Sequence, residues 1–283
     1  MNPDGVLPLS WARLALASVA LVVVLAIVRG MRLGLSRTVL QSAIRGTVQL
    51  FAVGYVLAAL FAVERPELVL AVILIMIGAA ARTARSRLAP LPGLTWLAGA
   101  ALSAGTGLAV FFMTAVVVRP SPWYAPQYLV SITGMLLGNA MNGASLAGDR
   151  FQDELVSRRA EVEARLSLGL SGAESVHPLQ ARALRAALIP TLNSFAVAGV
   201  VQLPGMMTGQ ILAGVRPDLA VRYQIVIFIL LTMSTALSTF LFLNLLSKRY
   251  LTDAHQLRSA LLAPQRPRTT QRYPAKKSSG SAT

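Results

Sequence analysis

The sequence contains no cysteine and few charged residues. Of its 283 residues, 55% are hydrophobic and 13% are charged, whereas soluble domains carry roughly 25% charged residues. The absence of cysteine excludes a disulfide framework and any thiolate metal or redox site. The shortage of charge excludes an ordinary soluble domain. We therefore expect an all-α, polytopic integral membrane protein.

A phosphate-binding loop of the form GxxxxGK[ST] is also absent, so any ATP hydrolysis has to occur in another subunit. We expect no enzyme activity and no cofactor in this chain. The formal net charge of +15 does not indicate nucleic acid, because the basic residues lie mostly in short loops beside apolar stretches. From Lys248 onward, eight basic residues stand against Asp253 alone. That distribution is typical of a membrane topology signal.

Seven apolar stretches are each close to the roughly 20 residues that cross a bilayer. They lie at about 11–28, 39–62, 67–81, 94–118, 126–147, 185–213 and 221–247. We expect about seven transmembrane helices in a permease domain at 1–247, with a cytoplasmic coupling segment at 149–184. Residues 248–283 are expected to form a basic, disordered tail.

Arginines mark one side of the membrane. They cluster after the first, third and fifth stretches, whereas the other connections carry few unbalanced basic residues. Because basic loops stay in the cytoplasm, this bias places the N-terminus outside and the tail inside. We expect a multi-pass protein of the plasma (inner) membrane. No basic leader precedes the first stretch, so we expect it to remain as an anchor.

The stretch LIPTLNSFAVAGVVQLPGMMTGQILAGV, at 188–215, is apolar but broken by Pro204-Gly205. Peptide groups freed by such a break cannot face lipid, so the segment should be buried among helices or line a wet cavity. That requirement favours a transporter. Glu67 stands at the edge of the third stretch, and no Asp or Glu lies deeper in any of the seven. Ion-coupled carriers commonly place a carboxylate there, so we expect the energy source to lie elsewhere.

Several polar residues inside the apolar stretches have two interpretations. Arg45 either snorkels to the cytoplasmic surface or faces the pathway. Asn139 and Asn142 either join helices or line the pathway. Small residues four apart predict close helix packing. They are Gly99, Ser103 and Gly107, then Gly134 and Gly138 continued by Asn142, then Gly205 and Gly209.

Between the fifth and sixth stretches, DRFQDELVSRRAEVEARLSLG predicts a helix outside the membrane. Glu154 with Arg158 and Glu161 with Arg165 are Glu-first pairs four apart, which stabilise exposed helices. An apolar side follows Phe151, Leu155, Val162 and Leu166. The segment 151–171 either lies on lipid or docks to a protein, and the five acidic residues from Asp149 to Glu163 favour the protein.

Four runs carry a family resemblance: SAIRGTVQL, GMLLGNAMNGASLAGDRF, EARLSLG, and PGMMTGQILAG followed by AVRYQIV. Together they resemble the FetB-type permeases, a family of iron-export ABC transporter permeases with plant relatives linked to aluminium tolerance. EARLSLG looks like the Glu-Ala-Ala…Gly loop that contacts the ATPase in many ABC permeases, with Arg165 as a departure from the pattern. The resemblance covers about residues 37–247 and does not include the tail.

The resemblance implies an ABC permease that works as a homodimer with two copies of a separate ATPase. It implies coupling through Glu163, Ala164 and Gly169. Candidates for the pathway or a hinge are Arg45, Gln49, Asn139, Asn142, Asn193, Pro204, Gly205, Met206, Met207, Thr208 and Gln210.

The residues define the transported substrate less closely than they define the class of protein. Met206 and Met207 offer sulfur for soft ions, or they simply fill the core. No metal site is visible in the sequence, so only the family resemblance indicates iron as the transported substrate. Three alternatives stay open: an ABC permease for a non-metal small solute, an ion-coupled secondary transporter, and a non-transporting membrane scaffold.

Overall fold

The computed structural model describes residues 10–63, 65–252, 254–258 and 261–262. Within these ranges the chain is all-helical and forms no β-strand, as predicted. The helices are α1 (Trp11–Gly30), α2 (Ser36–Val63), α3 (Pro66–Ser86), α4 (Leu94–Phe112), α5 (Pro126–Ser157), α6 (Arg159–Ser167), α7 (Gly172–Ala196), α8 (Gly205–Leu212) and α9 (Pro217–Tyr250). A π-helical turn, Met113–Val117, extends α4.

Among the described residues, five helices are long and apolar enough to cross a membrane: α1, α2, α3, α4 with its π turn, and α9. They coincide with five of the predicted spans. Two further helices, α5 with 32 residues and α7 with 25, are long enough but too polar to qualify. The predicted count of about seven spans is therefore not confirmed.

The chain divides into two compact units inside α2, between Val56 and Leu57. In the unit that contains residues 10–56, α1 and the first part of α2 form a hairpin. The ring of Trp11, at the start of α1, stacks on Phe51 with centroids 5.7 Å apart. Most side chains of this hairpin are exposed, as expected for helices whose surroundings are lipid or another subunit.

In the other unit, α9 is the central helix and packs against α4, α5, α7 and α8. Phe151 of α5 and Phe242 of α9 are fully buried in its larger core. A second core, around Met113 and Ile132, lies towards the start of α9.

Two glycines allow the helix backbones to approach closely. A β-carbon at Gly105 of α4 would lie 2.5 Å from the backbone nitrogen of Ser238 in α9. A β-carbon at Gly143 of α5 would lie 2.7 Å from the Thr235 side chain. Neither position has room for a side chain, so glycine is required at both for this packing.

The stretch predicted as one broken span, 185–213, forms two helices. The first, α7, begins at Gly172 and ends at Ala196, and the second, α8, begins at Gly205. The residues between them are held by turn bonds, including Gly199 N–H to the Gln202 carbonyl at 2.9 Å. Gly199 has φ +83°, which ends helical geometry well before Pro204. The break predicted at Pro204-Gly205 is therefore present, but it is longer than predicted and begins after Ala196.

The last helix ends at Tyr250, beyond the predicted domain boundary at 247. The chain then folds back through a bridge between Leu251 and Leu257. Leu262 is buried in the larger core, so the first part of the predicted tail packs on the helices. Residues 263–283, the rest of that tail, lie outside the described residues.

Candidate coupling and pathway sites

The segment predicted to couple to a partner bends at Arg158, where the helical backbone geometry is interrupted. This residue ends α5 with φ −109° and ψ 24°, and α6 follows at once. Val162 of α6 is fully buried, in the same core as Phe151 and Leu155. The apolar side of the segment is therefore occupied within the chain. Only the polar side of α6 and its tip are open to lipid or to another protein.

One of the two predicted charge pairs forms. Arg165 Nη2 lies 3.1 Å from Glu161 Oε1, as the spacing predicted. Glu161 also accepts a hydrogen bond from Arg158, which lowers the pKa of this carboxyl below its ordinary value. The pair between Glu154 and Arg158 was wrong, because the bend after Ser157 carries Arg158 off the α5 helix surface.

Glu154 instead joins α5 to α7. Its Oε2 lies 2.7 Å from Arg182 Nε of α7, and its Oε1 lies 3.3 Å from Arg150. Glu154 is only 14% exposed, so this pair is shielded more than an ordinary surface ion pair. The two helices that flank α6 are thereby tied together where α6 begins.

The predicted coupling residues lie on the open side of α6. Glu163 is exposed and pairs with Arg159 at 2.7 Å. Ala164 is exposed, and its carbonyl accepts the N–H of Leu168. Gly169 follows the helix with φ +89°, a conformation that favours glycine and stops α6 there.

Leu168, which the sequence reasoning did not single out, is 80% exposed at this tip. Leu170, beyond the glycine, is exposed as well. Large apolar side chains projecting from a polar segment are typical of a protein contact. The signal in the sequence was a leucine on each side of a glycine that stops a helix.

Beside the tip lies an open cleft of about 750 Å³. One wall is the end of α6 with Glu163, Gly169 and Leu170, and the other is the segment 254–257. Gly172 N–H donates to His255 Nδ1 at 3.2 Å and fixes that second wall to the start of α7. The residues after α9 therefore contribute to the same surface as the coupling candidates.

The three candidate asparagines are exposed. Asn139 Nδ2 donates to the Met135 carbonyl of its own helix at 2.9 Å. A β-carbon at Gly143 would lie 3.9 Å from the Ala187 side chain, which shows where α5 and α7 pass each other. From that crossing, Asn139 lies about 6 Å back along α5 and Asn193 about 9 Å forward along α7, by the rise of 1.5 Å per residue. Because the helices are antiparallel, the two amides have similar depths.

The candidates around the break belong to α8 and its start. Pro204 is buried and Gly205 is the first helical residue, an arrangement in which the missing proline N–H costs little. Met207 is buried, and Met206 packs against the core around Ile227. These contacts favour the core-filling interpretation of the two methionines. Thr208 Oγ1 bonds back to the Pro204 carbonyl, and Gln210 Oε1 is buried without a hydrogen-bond partner among the described residues.

Arg45 and Gln49 lie in the other unit, four residues apart on α2. Both are exposed. Their spacing puts them on the same side of the helix, so they form a polar patch there. Among the described residues, no group of three or more His, Cys, Asp or Glu side chains is placed to hold a metal ion.

The family description "Uncharacterised protein family (UPF0014)" matches residues 11–251, which is most of the chain. The chain belongs to the UPF0014 family. It is 38% identical to "UPF0014 membrane protein slr1647" of Synechocystis over 89% of this chain and 98% of that protein. It is 32% identical to "Probable iron export permease protein FetB" of Escherichia coli, over 86% and 93%. No solved structure matches it.

A plant relative extends the family further. The chain is 30% identical to "Protein ALUMINUM SENSITIVE 3" of Arabidopsis thaliana over 86% of this chain and 89% of that protein. The resemblance to FetB-type permeases is thus confirmed, and this UPF0014 protein is a multi-helix membrane protein.

Proposed function

We propose that this protein is the membrane subunit of an ABC transporter that exports iron or another metal cation. Its relative in Escherichia coli is named as a probable iron export permease, and similarity extends over nearly the whole of both chains. ATP is hydrolysed by a separate subunit, two copies of which act on a homodimer of this chain. The N-terminus lies outside and the α6 end of the bundle lies in the cytoplasm of the inner membrane.

The observation that carries this proposal is the tip of α6. Leu168 projects into solvent beyond a helix whose own apolar side is buried, and Gly169 holds the turn that presents it. An ATPase surface groove would remove this leucine from water. Burial of a full leucine side chain is worth about 2 kcal/mol, enough for one anchor of a docking contact.

The geometry gives a route from such a contact to the membrane. Displacement of α6 acts on α5 through the bend at Arg158 and on α7 through Gly169 and Leu170. The Glu154–Arg182 pair holds those two helices together, so they move as one element. Coupling then requires that the docked ATPase binds the two arrangements of that element with different affinity.

The docking step is tested by changing Leu168→Ser. We expect roughly ten-fold less co-purified ABC ATPase from membranes that contain unchanged amounts of the permease, as for loss of a central anchor residue. The matched control is Leu203→Ser, a leucine that is 64% exposed between α7 and α8. Equal loss of ATPase in both variants, or in neither, would contradict docking at α6.

The substrate is tested by the metal content of cells. Cells that express the protein together with its ATPase should hold less iron than cells that express the Leu168→Ser variant. If iron and other transition metals are unchanged while a different small solute falls, the protein exports a non-metal substrate. The pathway candidates Asn193, Thr208 and Gln210 would suit that second candidate, because they offer amides and a hydroxyl, and the described residues contain no cluster of charged ligands.

A further inference from the structure

One face of α5 is polar and open. Its exposed or half-buried residues recur three and four apart, which places them along one side of the helix. They are Ser131, Gly138, Asn139, Asn142 and Leu146, whereas Met135 between the first two packs against the core around Ile132. The opposite side of α5 is buried against α9 and contains Leu136, Ala140 and Ala144. The open face is therefore a defined surface rather than a frayed part of the unit.

The two asparagines lie deep along this helix. By the rise of 1.5 Å per residue, they stand about 20 and 24 Å from Pro126. The first charged residue of α5 is Asp149, about 35 Å from Pro126 by the same rise. A hydrocarbon core about 30 Å thick would thus contain both amides and exclude the charges.

The amides on this face have unused hydrogen-bonding capacity. Asn139 donates one bond to its own helix, and Asn142 makes none with the described residues. Lipid tails offer neither donors nor acceptors, so an amide facing them stays unsatisfied at a cost of several kcal/mol. Lipid alone is therefore a poor neighbour for this face, and an ATPase outside the bilayer cannot reach it.

The surroundings of Gly138 leave room for the backbone of another helix to approach this face of α5. A β-carbon at Gly143 or Gly148 would meet atoms of the same chain, whereas one at Gly138 meets nothing within 4 Å. The close-approach surface at Gly138 is unused within the chain. With Asn142, four residues further on, it continues the spacing by which membrane helices join, whereas Gly134 of the same pattern already lies against Met76 of α3.

We infer that this face of α5 is the contact between two copies of the chain. A twofold axis places a surface against itself, so the surface has to be complementary to itself. Asparagine meets that condition, because each amide is both donor and acceptor and can pair with its counterpart. The inference rests on the homodimer of the proposed function and assigns its membrane contact to Gly138, Asn139 and Asn142.

Cysteine cross-linking tests this contact cleanly, because the chain has no cysteine of its own. Gly138→Cys and Asn142→Cys, each alone and treated with copper phenanthroline in native membranes, should give disulfide-linked dimers. Ile75→Cys, at an exposed position on α3, is the matched control and should stay monomeric. Monomeric α5 variants, or a cross-link from Ile75→Cys of equal yield, would overturn the assignment.

Two further measurements test whether a second copy of the chain, or α2 of the same chain, covers this face of α5. In the doubly substituted chain Gln49→Cys with Asn142→Cys, a disulfide within one chain would mean that α2 covers this face, and it would overturn the assignment. Asn139→Leu with Asn142→Leu should lower the dimer fraction several-fold, and an unchanged fraction would also contradict it. ATPase co-purification from the same membranes distinguishes failure of the ABC proposal, since the α5 cross-link does not depend on that subunit.

Discussion

Gly105 and Gly107 are two residues apart on α4 but have opposite roles. A β-carbon at Gly105 would lie 2.8 Å from the Cα of Ser238, and backbone atoms cannot turn aside as a flexible side chain can. We expect Gly105→Ala to push α4 from α9 and to lower the free energy of unfolding by about 1–3 kcal/mol, the usual cost of overpacking. Thermal unfolding of the purified protein in detergent measures this loss.

Gly107→Ala is the matched control, because its β-carbon meets nothing within 4 Å. Alanine favours a helix over glycine by about 1 kcal/mol, so this variant should unfold at the same or a higher temperature. Similar destabilisation by both substitutions would mean that α4 does not contact α9 through Gly105.

The glycines also show what residue spacing can predict. Gly99 and Gly134 do lie against side chains of α3, as their spacing indicated. Gly107, Gly138, Gly205 and Gly209 instead face open space, and the tightest contacts form at two glycines outside the predicted pattern, Gly105 and Gly148. A spacing of four identifies a face of a helix, but only the tertiary arrangement decides which face another helix covers.

At the scale of elements, the α7–α8 break is built from its turn and not from Pro204 alone. We expect Pro204→Ala with Gly205→Ala to leave the break in place, because the turn bonds and the positive φ of Gly199 remain. Spin labels on Leu192→Cys and Leu212→Cys, both exposed positions, measure the distance between the two helices. That distance should be the same with and without the double alanine substitution.

Gly199→Ala should disturb the same break. Its β-carbon has open space, so the cost is the left-handed backbone, about 1–2 kcal/mol. If the label distance changes in the double alanine variant but not in Gly199→Ala, then Pro204-Gly205 and not the turn at Gly199 forms the break.

The elements also show which signals in the sequence were sufficient. Long apolar runs predicted α1 to α4 and α9, since such runs have few other stable arrangements in a membrane protein. The bend at Arg158 was missed because no glycine or proline marks it. Similarly, the partner of Glu154 is Arg182, which is distant in sequence and cannot be inferred from helical spacing. The candidate coupling residues lie on the open side of α6, but the exposed Leu168 beside them was recognised only from the fold.

For the whole molecule, the family match extends over both compact units, because residues 11–251 include the α1–α2 hairpin. The hairpin therefore belongs to the part of this chain that matches the family and is not an addition to it. Basic residues cluster at one end of several helices, including Arg29 of α1 and Lys248 with Arg249 of α9. Near the start of α9, Arg216 is instead paired with Asp218 at 3.1 Å.

These charges predict an external N-terminus and a cytoplasmic end after Tyr250. An active cytoplasmic reporter fused after Tyr250 is expected whether the chain crosses the membrane five times or seven. A reporter fused after Gly169 separates the two counts. If α5 crosses the membrane, this fusion lies in the cytoplasm with α6. If only the five most apolar helices cross, it lies outside.

We expect the Gly169 fusion to be active only with a cytoplasmic reporter, and a fusion after Val215, in the connection before α9, only with an external one. Asn139 and Asn142 supply the physical reason: they make α5 too polar to face lipid on all sides, but a helix paired with a second copy can cross. A Gly169 fusion found outside would give five spans. It would also place Leu168 on the side opposite any ATPase, so the same measurement tests the count of spans and the coupling contact together.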